Sequence, residues 1–272
     1  MSRLDRRELL ALLGVGSWMA RPAAAAAALP LTALDHVEIS APDAARSAAF
    51  YARVFGGSLW KNRQTPKRYV KLGLCYIAID QKPQASFDHF SAGIADYNIA
   101  GLHTYLQERG IAYRDFPSGR DLNVTDPDAI RVQLSSDNSW APLEGTTAAA
   151  EAPADPGAIF RTTALDHILL NVLDPEKSAA FYEKIFGPVA QRNNGRIWFQ
   201  TGKSRIGLLR TPDGQKAGVN HFCVAAAPFD AAAATKKLEQ AGTKLEKSDD
   251  PAAPQFRDPD GFLVQVMTAR RA

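Results

Sequence analysis

The 272-residue chain has little cysteine: only Cys75 and Cys223, too few for a disulfide framework or a zinc-finger array. It has no basic excess either, since 32 Lys and Arg against 29 Asp and Glu give a formal charge of +3. Four of the arginines fall within residues 1–28, so the remainder is close to neutral. A nucleic-acid binder needs a basic face, and that class is set aside. The apolar run Leu9 to Ala20 is well short of the about 20 residues of a membrane-spanning helix. Gly-rich phosphate loops, G-x-S-x-G and H-E-x-x-H are all missing. At 46% apolar and 22% charged, the composition is that of a globular chain with one large domain or two ordinary ones.

The N-terminal segment reads as an address. Arg6 and Arg7 precede the short apolar run, Arg21 and Pro22 interrupt it, and Ala23 to Ala28 supply small-residue cleavage options. That is the layout of an export signal. It resembles the twin-arginine type, which is read by a receptor and is not an anchor. The resemblance implies a folded, often cofactor-loaded protein sent to the periplasm or outside the cell, without a stable membrane anchor. Disulfides are allowed there, but Cys75 and Cys223 fall at unmatched positions and are expected unpaired.

The remaining chain repeats itself. LDHVEISAPDAARSAAFYARVFGG from Leu34 matches LDHILLNVLDPEKSAAFYEKIFGP from Leu165, and Asp126-Pro127-Asp128 matches Asp258-Pro259-Asp260. Each copy restarts internally, at Asp88-His89 and at Asn220-His221. Strand-like runs cover Asp35 to Ser40, Tyr69 to Leu72, Cys75 to Asp80, Ile130 to Leu134 and Phe262 to Met267. Helical spacing places Ala48, Tyr51 and Phe55 on one face after the N-cap candidate Asp43, with Gly56 as the stop. Further helices are expected near Ile99 to Arg109 and Asp230 to Ala241. Tyr51 and Tyr182 are expected to pack their helices onto the sheet. The expected division is an export signal at 1–28, domains at 29–140 and 161–272, and a linker at 141–160, rich in Ala, Pro and Gly.

The unit is β-α-β-β-β, used four times. With LDH, AAFY and the DPD turn repeated in order, the chain resembles the vicinal oxygen chelate superfamily of glyoxalases, bleomycin-resistance proteins and extradiol dioxygenases. The resemblance implies an α+β fold in which four modules pair into two half-open barrel domains. Metal and a small-molecule substrate would sit in the concave faces, and chains of this kind often pair as homodimers.

Four of the five histidines, His36, His89, His167 and His221, stand at equivalent strand starts. The resemblance makes them ligand positions, completed on each last strand by Gln133 and Gln265, where the family usually has Glu. Two imidazoles and an oxygen donor suit a divalent metal such as Fe, Mn, Ni or Zn. A neutral amide leaves charge +2 on the site, which then demands an anionic ligand. A further carboxylate of the glyoxalase pattern is missing at Ala78 and Gly207, so the dioxygenase-like triad fits better. Strand alternation puts Glu38 beside His36 on the concave face, where it offers a replacement carboxylate. Arg131 offers a fork for a substrate anion. In the second copy Asn171 and Cys223 face the same way, and the face is more apolar. The resemblance favours the second copy as the metal-bearing one. His103, on a helix without a partner at ligand spacing, is expected to serve packing or surface, and Lys61 to Arg68 to form a solvated basic loop.

Two functions remain open at this level. One is an exported metal-dependent enzyme of extradiol-dioxygenase-like type, acting on a substrate with adjacent oxygens; no residue stands out as its general base. The other is a metal-free protein that binds or sequesters a small molecule, as bleomycin-resistance relatives do. A scaffold whose grooves are relics is a third reading.

Overall fold

The computed structural model describes residues 28–269. The segment read as an export signal lies, except for Ala28, outside the described residues. In the first copy the order is β1 (Leu31–Ala41), α1 (Ala44–Phe55), β2 (Ser58–Asn62), β3 (Arg68–Leu72), β4 (Cys75–Gln81), β5 (Ser86–Ile94), α2 (Ile99–Glu108), β6 (Tyr113–Asp115), β7 (Leu122–Thr125) and β8 (Arg131–Ser136). The stretch between the copies is ordered as α3 (Trp140–Thr146) and β9 (Ala148–Ala152). The second copy runs β10 (Thr162–Val172), α4 (Pro175–Phe186), β11 (Gln191–Asn193), β12 (Arg196–Thr201), β13 (Ser204–Arg210), β14 (Gly218–Ala226), α5 (Ala231–Gln240), β15 (Lys244–Glu246), β16 (Gln255–Arg257) and β17 (Leu263–Thr268).

The fold is α+β, with four β-α-β-β-β modules in two half-open barrels. The first sheet has the order β6-β7-β8-β5-β1-β4-β3-β2-β9, and the second β11-β12-β13-β10-β14-β17-β16-β15. In each, the opening strands of the two modules lie side by side and antiparallel at the centre. Since those strands carry the four repeated histidines, the topology alone brings each pair together. The helices start where the sequence says. Asp43 accepts from the Arg46 N–H, Asp174 accepts from the Glu176 and Lys177 N–H groups, and Gly56 ends α1 in the left-handed region at φ 72°. Cys75 and Cys223 are both buried. No helix among the described residues is long and apolar enough to cross a membrane.

Alternation divides each central strand. Val37 and Ile39 are fully buried in the hydrophobic core, while His36 and Glu38 face the groove. The core also runs between the copies. Phe50 and Phe55 on α1 lie with ring centroids 6.2 Å from Phe256, and Tyr51 lies 6.2 Å from Phe222. Each aromatic buried this way contributes roughly 1.5–3 kcal/mol.

The tyrosines therefore do more than pack helix on sheet. Tyr51 donates its hydroxyl hydrogen to Asp258 Oδ2 of the other copy, and Tyr182 donates to Asp126 Oδ2. The two aspartates open the repeated DPD turns. Their Oδ1 atoms accept from backbone N–H groups of Asp128 and Ile130, and of Asp260 and Phe262. A reciprocal contact tightens the seam: the Gly73 turn lies on Thr163, and the Gly202 turn on Thr32. Leu74 N–H donates to the Thr163 carbonyl, and Lys203 N–H to that of Thr32.

β9 pairs with β2 at the sheet edge. Its sequence, AAAEA, has little strand preference. The open edge of β2 supplies the backbone partners that make it a strand.

Candidate active site and its comparison with known proteins

In the first copy His36 Nε2 lies 3.2 Å from His89 Nε2. His36 Nδ1–H donates to Asp35 at 2.7 Å, and His89 Nδ1–H donates to Asp88 at 2.7 Å. A proton committed to each Nδ1 leaves both Nε2 lone pairs facing one another. Gln133 follows on β8, buried and lining the same groove as His36. The second copy repeats the arrangement. His167 Nε2 lies 3.1 Å from His221 Nε2, with Nδ1–H of His167 on Asp166 and of His221 on Asn220. Gln265 lines the same cavity as His167 and His221. In the first copy His36 and Gln133 line the groove, and His89 meets it through His36.

Their surroundings differ. The first groove is a cavity of about 650 Å³. Its floor carries His36, Glu38, Ala78 and Gln133, and Tyr69, Tyr76 and Phe116 form aromatic walls. The matching cavity of the second copy is about 160 Å³. There Trp198 replaces Tyr69, Arg205 replaces Tyr76, Leu169 replaces Glu38 and Gly207 replaces Ala78 in register. A Cβ at Gly207 would come within 2.7 Å of both Leu169 and Trp198, so the space is already filled. Arg205 stacks on Trp198, its guanidinium carbon 4.8 Å from the ring, and pairs with Asp166 at 3.2 Å. The face expected to be apolar is thus half charged, and the roomy groove belongs to the first copy.

Glu38 stands directly opposite His89 on β5 and beside Ala78 on β4. Its Oε2 accepts from Lys67 Nζ at 2.6 Å, and Asp80 lies 3.6 Å from the same ammonium. Burial alone would raise the Glu38 pKa, but Lys67 and His89 outweigh it and hold the carboxyl below its usual range. Burial pushes His89 down, against the opposing hydrogen bond to Asp88. Asp88 is desolvated too, yet the bond from His89 and the charges of Arg131 and Lys82 keep it far below the ordinary carboxylate range. His221 is pushed down to about 3 by burial, then by His167 and Arg196.

Arg131 is not in the large groove. It pairs with Asp88 at 2.6 Å and lines a separate cavity with Tyr113 and Phe116, behind His89 rather than before it. Asn171 accepts from Asn220 Nδ2, and Cys223 is fully buried beside His167 on the neighbouring strand. Among the described residues, Glu38, Asp88 and His89 bring one donor atom each within 4.8 Å, as do Asp166, His167 and Cys223. His103 Nε2–H donates to Asp115 at 2.7 Å, and the ring stacks on Tyr113, in keeping with packing.

Several site residues escaped the sequence reading. Asp35, Asp88 and Asp166 were visible as the residue before each histidine. Lys67 was not separable from its basic loop. Ser139 precedes α3 and donates to Asp35 Oδ2 at 2.5 Å, while Tyr76 stacks on His36 at 4.4 Å and its hydroxyl meets Ser139 at 3.1 Å. The connecting segment therefore helps hold His36.

Paired imidazoles at the centre of each curved sheet define a duplicated groove protein with a ligand-type histidine cluster per copy. Comparison agrees. Residues 164–266 match the family described as Glyoxalase/Bleomycin resistance protein/Dioxygenase superfamily. The chain is 25% identical over 229 residues to a lactoylglutathione lyase of Schizosaccharomyces pombe, covering 72% of this chain and 71% of that one. Among solved structures it resembles the 2,3-dioxygenase LapB from Pseudomonas sp. KL28, with TM-score 0.69, 15% identity and coverage of 90% and 95%. It likewise resembles the Mn(II)-bound glyoxalase from Novosphingobium aromaticivorans, with TM-score 0.65, 16% identity and coverage of 89% and 84%. These structural likenesses carry the fold.

Proposed function

We propose that the protein is a metal-dependent enzyme, extradiol-dioxygenase-like in type, that works in the first groove on a small molecule offering two adjacent oxygens. The observation that carries the reading is the His36–His89 pair, with two Nε2 atoms 3.2 Å apart and each Nδ1 held by a carboxylate. Facing lone pairs in a buried site repel unless a cation lies close to both. The donor chemistry fits: two neutral imidazoles and the Gln133 amide oxygen suit Fe, Mn, Ni or Zn. A divalent cation held there supplies a Lewis acid for a chelated oxygen pair, and an oxygen-binding centre if it is iron.

The chain's own residues do the rest. Asp35 and Asp88 fix the imidazole tautomers and orientations. Tyr69, Tyr76 and Phe116 offer flat apolar walls for a planar ligand. Lys67 supplies positive charge near the floor, which favours an ionised oxygen on the ligand. The second copy has the same imidazole pair, but Arg196 and Arg205 stand where a second cation would be repelled. Its filled space suits a structural role.

The test is metal content of the purified protein. About one divalent ion per chain is expected, lost in His36→Ala and kept in His167→Ala. A wild-type chain that holds no metal and shows no thermal shift with Fe, Mn, Ni or Zn sinks the enzyme reading. The neutral amide of Gln133 would then favour a metal-free binder of a small molecule. We further propose that residues 1–28 direct export; fractionation of cells making the full chain should find it outside the cytoplasm, and a chain with Lys at both Arg6 and Arg7 inside.

A further inference from the structure

His36, His89 and Gln133 are all neutral donors. A divalent cation among them would keep its whole charge in a site where each of the three is at most 6% exposed. Such burial is costly unless an anion lies in contact. Asp35 and Asp88 each already accept from an imidazole Nδ1–H. Ala78 offers nothing. Two carboxylates line the groove, Glu38 and Asp121, and Glu38 is the one on the strand that carries His36.

Glu38 is two residues from His36 on β1, so both side chains leave the same face. Across the ladder it is directly opposite His89, and its other neighbour is Ala78, whose methyl group leaves room beside it. An oxygen of Glu38, an oxygen of Asp88 and a nitrogen of His89 lie within 4.8 Å of one another, and of the two carboxylates Glu38 is the one not bonded to an imidazole Nδ1–H. With Lys67 holding Oε2, Oε1 is the atom left to serve as donor. We infer that Glu38 is the anionic fourth ligand of the first-copy metal site, a carboxylate supplied from β1. Lys67 then acts as a positioning residue, fixing the carboxylate rotamer at the expense of some repulsion toward the cation.

The duplication contains its own control. Leu169 stands opposite His221 and beside Gly207 just as Glu38 stands opposite His89 and beside Ala78. At the register position of Glu38 the second copy therefore carries no anion, and the carboxylates that line its cavity, Asp249 and Asp250, come from outside the central strands. The inference rests on the proposal that the first groove holds a metal, and the test separates the two.

Zinc and cobalt binding to chelator-treated protein should be measured by competition with a chromophoric chelator, and the visible spectrum of the cobalt form recorded. Glu38→Gln should weaken binding at least about tenfold and shift the cobalt bands, with one site still filled at high metal. Lys67→Met should tighten binding several-fold, because an ammonium beside the cation is removed; a purely structural Glu38–Lys67 pair would give no gain. If Glu38→Gln fails to fold, Lys67→Met and its cobalt spectrum decide. Wild type binding one ion, with both variants matching it in affinity and spectrum, overturns the Glu38 assignment and leaves the enzyme reading standing. Wild type binding neither ion overturns both.

Discussion

Tyr51, on the first helix, donates its hydroxyl hydrogen to Asp258 at 2.6 Å, across 207 residues of sequence. The duplicate answers it, with Tyr182 reaching Asp126 at 3.0 Å. Each aspartate is also the brace of its own turn, so one carboxylate ties a loop and a neighbouring copy together. Burial raises the carboxyls of both aspartates above their usual range, in spite of these donors.

Removing either phenolic hydroxyl leaves a buried carboxylate oxygen short of a donor. Tyr51→Phe and Tyr182→Phe should each lose about 1–3 kcal/mol of stability in urea unfolding. The two sites share no partner, so the double variant should lose close to the sum. Metal binding should be unaffected, which equilibrium titration checks.

Ser139 acts on His36 through Asp35. Ser139→Ala should weaken divalent-metal binding about tenfold while the unfolding midpoint of chelator-treated protein changes little. A competition titration reads the first, and thermal melting the second. Equal affinity would confine Ser139 to joining the connector to Asp35 and Tyr76.

The seam between copies allows no side chain at Gly202. That residue sits at φ 56°, and a Cβ there would lie 1.8 Å from the Thr32 carbonyl oxygen. Gly202→Ala should cost about 3 kcal/mol or more, in the range of steric mutations that damage a core. Gly214 is the comparison: φ is 77° and nothing lies within 4 Å of its Cβ position. Gly214→Ala should cost only the backbone strain of about 1–2 kcal/mol.

His221 gives the protein an acid-sensitive element. Its folded pKa is about 3 against 6.5 for the free side chain. Between those values the unfolded chain binds the proton and the folded chain does not, so stability falls as pH drops through that window. Chelator-treated protein should unfold at lower urea at pH about 4 than at pH about 7. His221→Gln should show a shallower decline. Glu38 and Asp88, held below the ordinary carboxylate range of about 4, add their losses only at lower pH. An unchanged slope in the variant would place the sensitivity in such groups instead.

Much of this was legible in the chain itself. LDH and DPD recur in order, and strand alternation places His36, Glu38 and Gln133 on faces that a sheet must curl around. The connector was not legible. Its AAAEA segment carries no strand signal and takes its conformation from the bare edge of β2. Nor was the reach of Tyr51, because helical spacing reports which residues share a face without saying whose sheet they meet. The contrast between grooves was written in Tyr69 against Trp198 and Glu38 against Leu169, but the filling of a volume depends on side chains from several strands at once.

A head-to-tail duplication has a single intervening stretch, and a single stretch has only one place to lie down. Here α3 and β9 settle on the earlier half, giving that half an extra wall and a serine behind its histidine. The later half receives no such cover and has closed over with tryptophan and arginine. Lopsidedness of this kind is built into any tandem pair from the moment of its birth, before selection has changed one ligand.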